Sequence, residues 1–273
     1  MKNLNDKVVV ITGAGSGIGR SLALKMYKLG AKLALNDLKK NALDETLSMI
    51  DNPENIYTET FDVSVKKDFD LFAKNVINHF KKVDVLINNA GITVGSYSVS
   101  ETSIEKYEKV IGINLWGMIY GTLCFLPELR KQTESSVVNI SSVWGLLGSP
   151  FQSAYSVSKF GIRGFSEALA AEEFCINSGV VVTSVHPGGI KTNIVRNIEG
   201  QTLTENQLKK LDAHFPTTAD KTANKIIEGI TKKKTRVVIG PDAKLMYRLT
   251  RFSNRITMKF IVNWAKKMMK IYQ

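Results

Sequence analysis

A strand that runs straight into a glycine turn and then a helix sets the terms for this chain of 273 residues. Lys7-Val8-Val9-Val10-Ile11-Thr12 is apolar and β-branched on both faces, as suits a strand buried in a parallel sheet. Gly13-Ala14-Gly15-Ser16-Gly17-Ile18-Gly19 follows, and then a helical pattern (Leu22, Met26, Leu29) that Gly30 stops. The alternation continues. Ala31 to Asn36 reads as a strand ending at Asp37, and Lys40 to Ile50 as a helix. Ile56 to Phe61 and Val83 to Ile87 are short strands with an amphipathic helix (Phe69, Phe72, Val76, Phe80) between them. A helical stretch from about Ile104 to Arg130 precedes the strand ending at Ile140, and another helix runs from Tyr155 to about Asn177. Val180 to His186 and Arg236 to Ile239 are strands, with a helix from Ala219 to Thr231 between them. The pattern predicts an α/β fold, a doubly wound, Rossmann-type parallel sheet of seven strands with helices on both faces. It fills one domain, residues 1–240, with no linker and no repeat, and residues 241–273 form an extension.

A hydrophobic share of 44% and a charged share of 23% suit a globular protein with a large core. Cys124 and Cys175 lie in apolar helical patterns without metal-like spacing. They are expected to be buried free thiols, which implies no metal and a reducing compartment, the cytoplasm. The short polar segment from Met1 to Lys7 does not read as a signal peptide, and no run of 18 apolar residues is present.

The glycine turn sits between first strand and first helix, where a backbone without side chains can approach a pyrophosphate at a helix N-terminus. Asp37, eighteen residues past Gly19, is placed to accept hydrogen bonds from both adenosine ribose hydroxyls and to repel a 2′-phosphate. Leu38 and Ser16 are uncharged, while Lys39 and Lys40 are the residues that favour a phosphate. The expected cofactor is NAD, with NADP the less favoured choice. Tyr155 and Lys159 are four residues apart, on one face of their helix. An ammonium beside a phenol favours the phenolate and draws its pKa from about 10 towards working pH. Ser142, at the end of Val137-Val138-Asn139-Ile140, offers a hydroxyl to a substrate oxygen.

These residues, with Thr12-Gly13-x-x-x-Gly17-Ile18-Gly19, Asn88-Asn89-Ala90-Gly91, Asn114 and Pro187-Gly188-Gly189-Ile190-Lys191-Thr192, resemble the short-chain dehydrogenase/reductase family from about Lys7 to Gly240. The resemblance implies an NAD(P)-dependent oxidoreductase acting on CH–OH groups, with a tetrad of Asn114, Ser142, Tyr155 and Lys159. Ser142 would orient the reacting oxygen, Tyr155 exchange its proton, Lys159 lower the Tyr155 pKa and bind the nicotinamide ribose. Asn114, at a distortion in its helix, would position a water. Gly13, Ser16, Gly17, Ile18, Gly19 and Asp37 would hold the dinucleotide. Asp62 and Val63 would flank the adenine, Asn89, Ala90 and Gly91 pack on it and its ribose, and Pro187, Gly188, Ile190 and Thr192 contact the nicotinamide. His186 reads as a packed, hydrogen-bonded side chain.

Ile92 to Tyr97, Val143 to Gly148 and Phe151 are apolar loops without a cation to grip a carboxylate or phosphate. Trp144 and Leu146, with Ser142 and Tyr155, are the expected substrate residues. Residues 190–217 carry Ile194, Val195, Ile198, Leu203, Leu208, Leu211 and Phe215 and read as a lid. The substrate is then a lipophilic primary or secondary alcohol, or its aldehyde or ketone. The rival functions are a 3-oxoacyl-carrier-protein-type reductase and a non-enzymatic, membrane-docked dinucleotide sensor. Apolar residues on two helices, Ile119, Tyr120, Leu123, Phe165, Leu169 and Phe174, point with the resemblance to a homodimer or homotetramer.

The net charge is +12, and eight cations without one carboxylate lie from Lys244 to Gln273. Leu249, Phe252, Ile256, Phe260, Trp264, Met268 and Ile271, widened by Met246, Ile261 and Met269, recur at three- and four-residue steps. This basic amphipathic helix is expected to meet an anionic membrane surface or to pack on the protein itself. Nucleic acid is a poor partner, since phosphates need no apolar stripe.

Overall fold

The computed structural model describes residues 1–273 apart from 2, 52, 192–203, 205–206, 208–214, 216 and 273, and gives the backbone alone at 254 and 267–272. Seven strands, β1 (Val8–Thr12), β2 (Lys32–Asp37), β3 (Ile56–Thr60), β4 (Val85–Asn88), β5 (Ser135–Ile140), β6 (Val180–Pro187) and β9 (Arg236–Ile239), pair in the order β3-β2-β1-β4-β5-β6-β9. Every pairing is parallel. The direction of winding reverses between β1 and β4, where Val9 pairs with Val85, and a crevice opens beyond the carboxyl ends of such strands. The sequence expectation of a seven-stranded, doubly wound sheet is met. A separate two-stranded ladder, β7 (Ile190–Lys191) with β8 (Thr217–Thr218), has no counterpart in it, because two-residue strands leave no periodic signal.

Alternation along each strand sends side chains to opposite faces. Val9 and Ile11 join Leu22 and Met26 of α1 (Gly17–Lys28) and Ile226 and Ile230 of α7 (Ala219–Thr231). Val8 and Val10 join Phe69 and Phe72 of α3 (Lys66–Phe80), Phe125 and Leu129 of α5 (Gly117–Arg130), and Leu169 of α6 (Ser153–Cys175). Each such side chain, fully buried, contributes about 1.5–3 kcal/mol. The remaining helix of the first half is α2 (Lys40–Ser48). Between α4 (Ile104–Ile111) and α5 the chain makes a π-helical turn, Gly112–Trp116. Ile104–Arg130 is long and apolar enough to cross a membrane by composition, but its Val110, Phe125 and Leu129 are wholly buried in this fold.

The C-terminal extension is two helices, α8 (Pro241–Phe252) and α9 (Asn254–Tyr272). Ser253 between them is extended, with φ −164° and ψ 124°, so the stripe read as one helix is broken there. The pair folds back onto the loop after β5. Met246 and Ile261 pack with Val143, Leu146 and Leu147, and the rings of Trp264 and Trp144 lie 5.0 Å apart.

Two other expectations need correction, and a third falls outside the described residues. Cys175 is exposed at the end of α6, and Cys124 is half-buried, its thiol directed at Asp70. Burial and the neighbouring Asp70 push the Cys124 thiol up to about 12. On α5 the buried face goes to Phe125 and Leu129, and around Cys175 Phe174 and Ile176 are exposed as well, so an apolar neighbourhood in sequence does not enclose the thiol. Leu169 is in the core and offers nothing to a partner, whereas Leu123 and Phe174 are exposed. The proposed lid, apart from Ile190, Lys191, Thr204, Gln207, Phe215, Thr217 and its flanking ladder, lies outside the described residues, and Thr192 with it.

Candidate active site

The glycine turn forms because two backbones meet there. A Cβ on Gly19 would lie 2.1 Å from the Gly13 carbonyl oxygen, and one on Gly13, at φ +67°, 2.9 Å from Ala90 Cα. Thr12 Oγ1 accepts the amides of Asn89 and Ala90, both at 3.1 Å. Asn89 Nδ2 donates to the carbonyls of Thr12 and Gly13 at 2.9 and 3.1 Å. The carboxyl ends of β1 and β4 are thus one unit, and Ser16, Gly17 and Ile18 face the cavity from the start of α1. No side chain caps that helix, so its first N–H groups are free for an anion. Asp37 closes this end: Oδ2 accepts the Gly15 amide at 2.8 Å and Oδ1 the Lys39 amide at 3.0 Å. Just past β3, Asp62 faces the cavity and holds the following turn, accepting from the Ser64 amide and hydroxyl at 2.9 and 2.7 Å, with Val63 beside it.

At the other end β5 delivers Ser142. Its Oγ accepts the Trp144 amide at 3.2 Å and caps a short 3₁₀ turn, Val143–Gly145. His186 is buried between Ser184 Oγ (2.9 Å) and the Ser142 carbonyl (3.0 Å). Desolvation lowers it to about 4 against the pull of the Ser142 carbonyl; the neutral ring fits the expectation of a packed, hydrogen-bonded histidine. Ser141 Oγ donates to the Lys159 carbonyl at 2.8 Å, which seats α6 on this loop.

The π-helical turn carries Asn114 inwards, 1% exposed. Its Oδ1 accepts the Ile92 amide at 2.8 Å, and its Nδ2 donates to the Ile92 carbonyl and to Ser158 Oγ, both at 3.0 Å. Asn114 therefore clamps the segment after Gly91. A Cβ on Gly91 would meet Asn114 Oδ1 at 3.1 Å and Lys159 Nζ at 3.4 Å, so these two residues, far apart in the chain, share one spot. Lys159 is 3% exposed, and its Nζ donates to the Ile140 carbonyl at 2.9 Å. Burial lowers Lys159 to about 7.

The expected depression of the Tyr155 pKa is not what the structure shows. Burial pushes the phenol up to about 12, while a hydrogen bond with Ser142 pulls it down. The Lys159 ammonium is committed to Ile140, 5.4 Å from the Tyr155 ring centre, and is itself disfavoured by burial. Spacing put the pair on one face but did not report where each head group points.

These residues line one cavity of about 1240 Å³. That exceeds the ~300–1,000 Å³ typical of a small-ligand pocket and leaves room for a dinucleotide together with a substrate. The glycine cradle, the free helix N-terminus and Asp37 fit such a dinucleotide. Lining the wall are Gly13, Ser16, Gly17, Ile18, Asp37, Asp62, Val63, Asn89, Ala90, Gly91, Ser142, Trp144, Tyr155, Lys159, Pro187, Gly188 and Ile190. Gly19 and Asn114 stand behind it, and Leu146 packs under α8 instead of facing the cavity. Phe215, Asp242, Met246, Trp264 and Ala265 also line it. Phe215 comes from the stretch read as a lid, whereas the sequence reading missed the last four as site residues, since only the fold-back of α8 and α9 brings them to the cavity.

Residues 7–202 match the short chain dehydrogenase family. A putative oxidoreductase, SadH, of Mycobacterium tuberculosis is 39% identical over 258 residues, covering 92% of each chain. An 11-beta-hydroxysteroid dehydrogenase 1A of Arabidopsis thaliana is 34% identical over 255 residues, 90% of this chain and 72% of that protein. Among solved structures, a short chain dehydrogenase/reductase of Burkholderia phymatum in complex with NAD superposes with a TM-score of 0.82 at 29% identity, over 91% of this chain and 94% of that one. The chain belongs to the short-chain dehydrogenase/reductase family, as an oxidoreductase whose cavity is built for a nicotinamide dinucleotide.

Proposed function

We propose that the protein interconverts a lipophilic alcohol and its aldehyde or ketone by hydride transfer, with NAD favoured over NADP. The observation that carries this reading is the convergence of Ser142, Tyr155 and Lys159 on a cavity end walled by Val143, Trp144, Phe151, Phe215, Met246 and Trp264. The bound dinucleotide supplies the hydride donor or acceptor. Ser142 Oγ holds the reacting oxygen, and Tyr155 gives it a proton or takes one. A phenol held near 12 keeps its proton at neutral pH and is ready as the acid for carbonyl reduction; the positive form of Lys159 eases its loss. The apolar wall orients the substrate carbon and excludes water. Asp37, fixed between two amides, supports NAD, and Arg20 nearby is engaged by Glu45. The steroid named for the Arabidopsis relative is a substrate of the same lipophilic class.

A panel of free alcohols and ketones of rising chain length, run beside a β-ketoacyl thioester with each dinucleotide, tests the reading. Turnover should rise with apolar length and be higher with NAD(H), and Asp37→Ala should narrow the preference over NADP(H). Faster reduction of the thioester, with NADPH, would replace it with the carrier-protein reading.

The outer face of α8 and α9 supports attachment to an anionic phospholipid bilayer. Leu245, Phe252, Ile256, Met258 and Val262 are exposed there, Phe252 at 83%. Lys244, Arg248, Arg251, Arg255, Lys259 and Lys266 are exposed around them, with no carboxylate from Lys244 onwards. The inner face is spent on the cavity and on the loop after β5, so Trp264, Ile261 and Met246 are not membrane contacts in this reading. Charge draws such a surface to anionic lipid and apolar side chains hold it there. The protein should sediment with anionic liposomes, less so at high salt, and Phe252→Ser with Ile256→Ser should weaken binding several-fold. Protein left in the supernatant at low salt, or a dimer that those two substitutions dissociate, would overturn membrane docking.

The buried Lys159 sets a dependence on pH. A free lysine titrates near 10.4, whereas burial holds this one at about 7. A lysine whose pKa is lower when folded costs stability in proportion to the protons it must shed or the charge it must bury. That cost is full below about 7 and vanishes as pH rises to the unfolded value. Without ligand, Lys159→Met should therefore gain more in melting temperature over wild type at pH 6 than at pH 9, while losing turnover. A gap that stays constant across that range contradicts the buried-charge account.

A further inference from the structure

Asp242 takes no part in the chemistry above, yet the cavity is shaped around it. It stands in the first turn of α8, after Pro241, and its Oδ2 accepts the Gly189 amide at 2.7 Å. A Cβ on Gly188 would lie 2.2–2.5 Å from the carboxylate atoms, and one on Gly240, at φ +106°, 2.4 Å from Oδ1. Two positions thus go without a side chain where this one is drawn in. Oδ1 is buried without a hydrogen-bond partner among the described residues, a costly state that a fold seldom keeps without a use.

Position narrows that use. Four carboxylates line the cavity: Asp37, Glu45, Asp62 and Asp242. The first three belong to β2, to α2 and to the loop that follows β3. Asp242 belongs to α8 and is bonded to the Pro187–Ile190 turn, and of the cations that line the cavity Lys159 of α6 is turned to Ile140. Nicotinamide is a cation when oxidised and neutral when reduced. A fixed negative charge discriminates between those two states; a polar but neutral wall does not.

We propose that Asp242 sets the balance between the two redox forms of the cofactor, its carboxylate favouring the oxidised, cationic nicotinamide over the reduced, neutral one. This rests on the cavity reading above, with the nicotinamide at the Pro187–Ile190 turn, and does not depend on the substrate or on the choice between NAD and NADP.

Calorimetric titration tests it without turnover. Dissociation constants are measured for NAD⁺ and NADH, and for NADP⁺ and NADPH, on wild type and Asp242→Asn. Asparagine keeps an oxygen for the Gly189 amide and removes only the charge. The ratio of oxidised to reduced dissociation constants should rise about fivefold or more in the variant, as expected for one unit charge acting over several ångströms in a partly screened cavity. Weakening of both forms by the same factor, or no change, would show that Asp242 only staples the turn and would overturn the proposal. Should the variant not fold, wild type decides: binding of the reduced form more than about tenfold tighter than the oxidised form contradicts it. Failure to bind any of the four would overturn the cavity reading as well.

Discussion

Backbone amides and carbonyls at the carboxyl end of a parallel sheet have no further strand to bond to, and buried ones must find partners. In this protein the side chains that supply those partners are the ones that build the cavity. Thr12 and Asn89 join β1 to β4. Asn114 takes both polar groups of Ile92, Lys159 takes the Ile140 carbonyl, and Asp242 takes the Gly189 amide. Removing any of them disturbs scaffold and site together, so a loss of activity alone does not separate the two roles. Asn114 shows this best: a π-helical turn, often found at functional sites, carries it to a clamp that leaves little of its amide free.

The same economy explains the strain carried by α6. A lysine 3% exposed, lowered by burial to about 7, and a phenol raised to about 12 are both costly to keep. Neither stabilises the fold; both suit a site that exchanges a proton with a substrate oxygen. The core on either side of the sheet absorbs that cost. Perturbed titrating groups facing one cavity are the physical mark of a working site.

The sheet was legible because its strands are apolar on both faces and its helices alternate with them: Val8–Thr12, Val85–Asn88 and Ser135–Ile140 are buried throughout, as their composition requires. The glycine turn was legible because backbone contact admits no side chain there. Residues that act through direction were less so. Periodicity placed Tyr155 above Lys159 but could not say that Nζ turns to Ile140. It also read one stripe across residues 244–273, whereas an extended Ser253 breaks it and the two helices divide their apolar residues between cavity and surface. Asp242 gave no signal at all, being one acid beside a proline until the Gly188 turn closes on it. Leu146 was read as a cavity residue from its loop alone; the fold-back of Met246 and Ile261 covers it.

The central claim is that Tyr155 exchanges the proton while hydride moves on a cavity-bound cofactor. Single-turnover kinetics on Tyr155→Phe, with saturating reduced dinucleotide and a lipophilic ketone, tests it most directly. The account predicts a fall in the hydride-transfer rate of at least ~10²-fold, the usual scale of acid–base help, with dinucleotide affinity unchanged. A rate near that of wild type would contradict it.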